Sequence, residues 1–186
     1  MRAAHAFVHE VGVLGQPHPE LVQEVIAFVV LVHVSNGSTP ERAYALLGER
    51  HRVVTLEEPS AADLQALGAE QVSLWGGDAA LRLALEVPES IATLVLESPA
   101  APSDLEQLAA LNVPTLVVYG TQDTVNKPET GRVYRDKLPN CNYVLVYKAG
   151  HDVATDRPEA FASLVGDFLE RREAFIVSQR NTLLHP

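Results

Sequence analysis

The sequence predicts an α/β fold: a mostly parallel, doubly wound sheet of about six strands with helices on both faces. Three observations predict it. From Val25 onward, short runs rich in β-branched residues alternate with helical patterns. The runs are apolar almost without interruption, as strands buried on both sides are. Polar loops then follow several of these runs, at the carboxyl ends where doubly wound sheets gather their functional groups.

Taken in order, residues 1–24 form an N-terminal arm without legible periodicity, and residues 25–186 form one domain. His5 and His9 are spaced to share a helical face, but no third ligand stands nearby, so they read as a surface helix or irregular arm. No metal and no cofactor is expected. The first strand is 25–34, "VIAFVVLVHV", and Ser35 and Ser38 beside Asn36-Gly37 are turn residues. Thr39 before Pro40 reads as a helix N-cap with proline at the first helical position. The second strand, 51–57, is followed by a short helix capped by Ser60. The third, 71–75, holds Ser73 as a packed or backbone-bonded residue and Trp75 as a core or pocket-wall aromatic, and leads through Gly76-Gly77 into a helix. The fourth, 91–97, precedes a helix capped by Ser103; the fifth is 114–120; the sixth is 142–148, with Cys141 in the loop before it. Pro158 opens the longest helix, in which Phe161, Leu164, Val165, Phe168 and Leu169 make one apolar stripe.

Composition narrows the partners. The 186 residues include 14 Lys plus Arg against 24 Asp plus Glu, a formal charge of -10 with no basic run. Nucleic acid and anionic membrane surfaces rely on clustered positive charge, so both are disfavoured and a small-molecule substrate or ligand is expected. The longest apolar run is about half of a bilayer span. A poor secretory signal and the lone Cys141, which cannot pair internally, suit a soluble cytoplasmic protein.

Two loops carry an acid and a base in order: "GTQD" after the fifth strand, with Asp123, and "AGHD" after the sixth, with His151. With "RPEAF" at the head of the last helix, residues 112–177 resemble the carboxyl-terminal third of bacterial α/β-hydrolase-fold proteins of the lipase, esterase and C-C hydrolase type. The regions 67–100 and, more weakly, 28–59 extend the similarity. The resemblance implies the acid role for Asp123 and the base role for His151. It also brings departures. The helical lid usual in that superfamily is replaced by "SPAAPSDLEQLAALN", His33-Val34 stands where His-Gly is usual, and the arm replaces an antiparallel strand pair. The uncovered lid side would be closed by the arm or by a second copy of the chain, as a homodimer.

Such proteins carry Gly-x-Ser-x-Gly at a sharp strand-to-helix turn. Here no serine falls there, and two alignments remain open. Counting forward along the strand, with Leu67 and Gly68 beginning it, places Asp78 at the nucleophile position; counting backward from the helix places Leu74 there. The forward count keeps the strand's register and is favoured. By resemblance to dehalogenase and epoxide-hydrolase relatives, Asp78 would attack carbon and His151 would activate the water that resolves the ester, with Asp123 orienting the ring. The backbone N–H of Ala79 and that of Val34 or Ser35 would form the oxyanion hole. Against this, an aspartate in the first turn of a helix also serves the positive end of the macrodipole. Two functions follow: a degenerate hydrolase-fold protein with little or no hydrolytic activity, or a small lidless hydrolase of ester or haloalkyl substrates using Asp78.

Overall fold

The apolar runs fold as six parallel strands, β1 (Val30–Ser35), β2 (Arg52–Glu57), β3 (Val72–Gly76), β4 (Ile91–Glu97), β5 (Thr115–Gly120) and β6 (Cys141–Val146), joined by a two-residue seventh, β7 (Leu183–Leu184). A computed structural model describes residues 29–175 and 183–184; the arm, His5, His9 and the first residues of the expected 25–34 strand lie outside them. The strand order is β2-β1-β3-β4-β5-β6-β7. The chain therefore leaves β1 in one direction to make β2 and returns on the other side to make β3, which places a topological switch point between β1 and β3.

Among the described residues seven helices connect the strands: α1 (Glu41–Gly48), α2 (Ala61–Ala66), α3 (Asp78–Glu86), α4 (Leu105–Ala110), α5 (Gly131–Lys137), α6 (Val153–Asp156) and α7 (Pro158–Arg171). Ser60 caps α2 as expected, in a capping box with Asp63, an arrangement worth about 1 kcal/mol. Pro158 opens α7, where the fixed proline φ suits a first-turn position. Other boundaries differ from expectation. Pro40 rather than Thr39 is the N-cap of α1, and the backbone N–H of Glu41 bonds to the Thr39 carbonyl. Asp104 rather than Ser103 caps α4, its carboxylate accepting from the N–H groups of Glu106 and Gln107. Leu67 and Gly68 end α2 instead of beginning β3, Gly68 taking a left-handed φ of 72°. Cys141 is the first residue of β6.

Alternation along each strand sends side chains to two faces. On one face Val30, Val32, Val34, Leu74, Leu94 and Leu96 pack with α2, α3, α4 and α5 through Leu64, Leu83, Leu108 and Tyr134. On the other, Leu31, Trp75, Val95, Leu116 and Val118 pack with α1, α6 and α7 through Leu47, Val153, Phe161 and Phe168. The stripe read on the last helix is thus its buried face. Each fully buried phenylalanine contributes about 1.5–3 kcal/mol relative to exposure. Among the described residues no helix is long and apolar enough to cross a membrane.

Candidate functional site

The carboxyl ends of β1, β3, β4, β5 and β6 converge beside the switch point. Between β5 and α5, Asp123 folds into a tight turn in which its Oδ1 accepts from the N–H groups of Val125 at 2.8 Å and Asn126 at 2.9 Å. This leaves Oδ2 facing Nδ1 of His151 at 3.1 Å. The Asp123 side chain is fully buried, whereas that of His151 is 32% exposed, so the pair has a dry end and a wet end. Donation of the Nδ1 proton to Asp123 leaves Nε2 as the proton acceptor.

Close backbone packing makes this pairing. Gln122 N–H bonds to the Ala149 carbonyl at 2.8 Å, and Lys148 N–H to Thr121 Oγ1 at 3.0 Å. A Cβ at Gly120 would lie 2.2 Å from both the Ala149 and Gly150 carbonyl oxygens, so only glycine lets the two loops approach this closely. Gly150 N–H in turn bonds to Asp156 Oδ2 at 2.6 Å, shaping the loop that carries His151.

At the elbow, β3 ends at Gly76 and α3 begins at Asp78, so the one residue at the turn is Gly77, with φ -92° and ψ -135°. The two sequence alignments place Asp78 or Leu74 at this position. Leu74 lies inside β3, fully buried, and Asp78 is the first helical residue. The Asp78 carboxylate accepts from the N–H of Ala100 at 2.9 Å, linking α3 to the segment after β4. A Cβ on Gly76 would come within 2.8 Å of the Val34 carbonyl oxygen, whereas one on Gly77 would meet only the Glu97 carbonyl oxygen at 3.7 Å. Gly76 is therefore required by packing, and Gly77 is not.

A polar cavity of about 20 Å³, the size of a water site, opens at this turn. Its lining includes His33, Gly77, Glu97, His151 and Asp152, and excludes Asp78. His33 shares a 2.6 Å hydrogen bond between Nδ1 and the Tyr44 hydroxyl and stacks on Trp75; burial lowers its pKa to about 4, so it is neutral at pH 7. Of the three oxyanion-hole candidates, Val34 lines the cavity. Ser35 ends β1 with its Oγ accepting from Gly37 N–H and donating to the Ser38 carbonyl, and Ala79 lies in the first turn of α3. The first intrahelical bond of α3 comes from Leu81, so the N–H groups of Asp78 and Ala79 have no partner within the helix.

Sequence reading missed two residues here. Gly77 was hidden because its place depends on where strand ends and helix begins, to within one residue. Glu97 was readable as the single charge ending the apolar run "IATLVLE". Its Oε2 accepts from Trp75 Nε1 at 2.7 Å and its Oε1 from Ala154 N–H at 2.8 Å. Burial pushes its carboxyl up to about 7, against the opposing pull of these two bonds. Ser73, expected to pack or to bond to backbone, accepts from Thr93 Oγ1 at 2.8 Å within the sheet. Among the described residues no cluster of three or more His, Cys, Asp or Glu could hold a metal ion.

No family model matches the sequence. Over 63 residues the chain is 35% identical to a pimeloyl-(acyl-carrier protein) methyl ester esterase of Neisseria meningitidis, a match covering 34% of this chain and 24% of that protein. Over 64 residues it is 31% identical to a monoacylglycerol lipase of Homo sapiens, covering 34% of this chain and 19% of the lipase. The matches thus span about a quarter of these relatives' length or less. Among solved structures, a CIB-like hydrolase of Thermoplasma acidophilum superposes with a TM-score of 0.71 at 18% identity, over 81% of this chain and 89% of that one. A carboxylesterase of Bacillus subtilis gives 0.65 at 15%, over 76% and 84%.

Proposed function

We propose that this chain, which belongs to the α/β-hydrolase superfamily, is a form with a degenerate catalytic site and little or no hydrolytic activity. The observation that carries this reading is Gly77: the residue at the strand-to-helix turn has no side chain with which to attack an ester. The Asp123–His151 pair is retained. Asp123 and His151 can accept and return a proton, but general-base help without a positioned nucleophile gives only part of the rate of such a site. Asp78 is committed elsewhere, because its carboxylate satisfies the N–H of Ala100 at the amino end of a helix. The connection between Glu97 and Thr115 holds a single six-residue helix, α4, which supports the lidless reading; water is then poorly excluded from the site. The lone Cys141 suits the reducing cytoplasm.

A second reading is supported by the intact acid–base pair and by the esterase and lipase names of the curated relatives. In it the protein is a small lidless hydrolase of ester or haloalkyl substrates, and Asp78 leaves Ala100 to act as nucleophile. Steady-state hydrolysis of p-nitrophenyl esters, from acetate to octanoate, separates the two. The degenerate reading expects wild type and His151→Ala to give rates within about twofold of each other; wild-type turnover about 100-fold above the variant would establish a working base and overturn it.

A further inference from the structure

We propose that the outer edge of β2 pairs antiparallel with β2 of a second copy of this chain, so that two sheets become one. β2 stands first in the strand order, and among the described residues only β1 pairs with it. β1 and β3 separate it from β4 and the segment where a lid would stand. The opposite end of the sheet is the two-residue β7, an edge blunted by its shortness. β2 is different. Its six residues run in unbroken register with β1, from Val30 beside Arg52 to Ser35 beside Glu57. It carries no proline, lysine or bulge to repel another strand, and its charges stand only at its two ends. Between those ends Val53, Thr55 and Leu56 are half-buried.

The backbone fixes which groups are free. Arg52 N–H bonds to the Val29 carbonyl just before β1. The N–H and C=O groups of successive residues turn to opposite sides of a strand, so Arg52, Val54 and Leu56 serve β1 while Val53, Thr55 and Glu57 point outward. A two-fold axis at Thr55 matches these outward groups: Thr55 meets Thr55 of the second copy, and Val53 meets Glu57. Like faces stay together, with Val54 beside Leu56 on the side that packs with α2. The same register brings Arg52 of each copy to the Glu57-Glu58 end of the other. All three side chains are exposed, and none has a salt-bridge partner among the described residues. β2 thus begins positive and ends negative, the polarity that makes an antiparallel strand complementary to itself.

Sedimentation velocity over a concentration series, with amide hydrogen exchange, tests the pairing. Wild type is expected to sediment as a dimer that dissociates on dilution. The N–H groups of Val53, Thr55 and Glu57 should be protected in the dimer and exchange in the monomer. Val53→Pro removes an outward N–H and leaves the bonds to β1 in place, so it should weaken association at least about tenfold. Arg52→Glu and the double variant Glu57→Arg/Glu58→Arg each set like charges together and should each be monomeric. An equimolar mixture of these two variants should dimerise again, since every end then meets its opposite. Wild type that remains monomeric at about 1 mM overturns the proposal. Protection of Val53 and Thr55 that persists in the monomer overturns it too, by placing another part of this chain on the edge. A dimer indifferent to Val53→Pro, or a mixture that stays monomeric, has the same consequence.

Discussion

Placing a hydroxyl at the elbow with Gly77→Ser is expected to give the protein an esterase activity that depends on His151. The turn has room for the substitution: the new Cβ meets only the Glu97 carbonyl oxygen at 3.7 Å. The added side chain would stand at the wall of the cavity that His151 also lines. There Nε2 can take the hydroxyl proton as oxygen attacks an ester carbonyl, and return it to the leaving alcohol. The nearby N–H groups of Asp78 and Ala79, unpaired within α3, would receive the developing oxyanion. We expect hydrolysis of p-nitrophenyl butyrate to rise at least about 100-fold over wild type, and Gly77→Ser/His151→Ala to lose the gain. A Gly77→Ser protein that is folded and no faster than wild type would show that more than the nucleophile is missing.

The second large effect is structural and falls on the Asp123–His151 pair. Gly120→Ala places a methyl group 2.2 Å from the Ala149 and Gly150 carbonyl oxygens, where real Cβ contacts essentially never come under 3.0 Å. Both obstacles are backbone, so no rotamer change relieves them and the His151 loop must move away from β5. We expect a loss of about 3 kcal/mol, the upper range for overpacking, and a fall in Tm of about 6–12 °C. The 3.1 Å contact between His151 and Asp123 should lengthen with it. Gly166→Ala is the control: its Cβ meets nothing within 4 Å in the middle of α7, and alanine there should hold or raise stability. Equal Tm values for Gly120→Ala and wild type would contradict the close-approach account of the site.

The sheet, its helices and the Asp123–His151 pair were legible in the sequence because each rests on a strong local signal. Strands buried on both faces need unbroken apolar runs, and Asp123 and His151 sit in short polar loops directly after two of them. The errors sit where local signals compete. Thr39 and Ser103 are good capping residues, yet helix geometry starts one residue later in each case, at the stiff Pro40 and at an aspartate with two backbone donors in reach. Gly68 looks like the entry to a strand until the left-handed termination of α2 is known. A difference of one residue separates Asp78 from Gly77, and periodicity does not resolve the junction of a period of 2 with a period of 3.6. Glu97 was visible as a charge but not as a partner, since its bonds to Trp75 and Ala154 join residues 22 and 57 positions away.

The central claim, that no side chain at this turn forms a covalent intermediate, is tested most directly by intact-protein mass spectrometry followed by peptide mapping of residues 71–80. Wild type is treated with a fluorophosphonate, and His151→Ala, in which an aspartyl ester could not be resolved by activated water, with a 1-haloalkane. We predict an unmodified 71–80 segment under both treatments. An alkyl ester on Asp78, formed as its carboxylate displaces halide, would contradict the claim and make Asp78 the nucleophile of a working hydrolase.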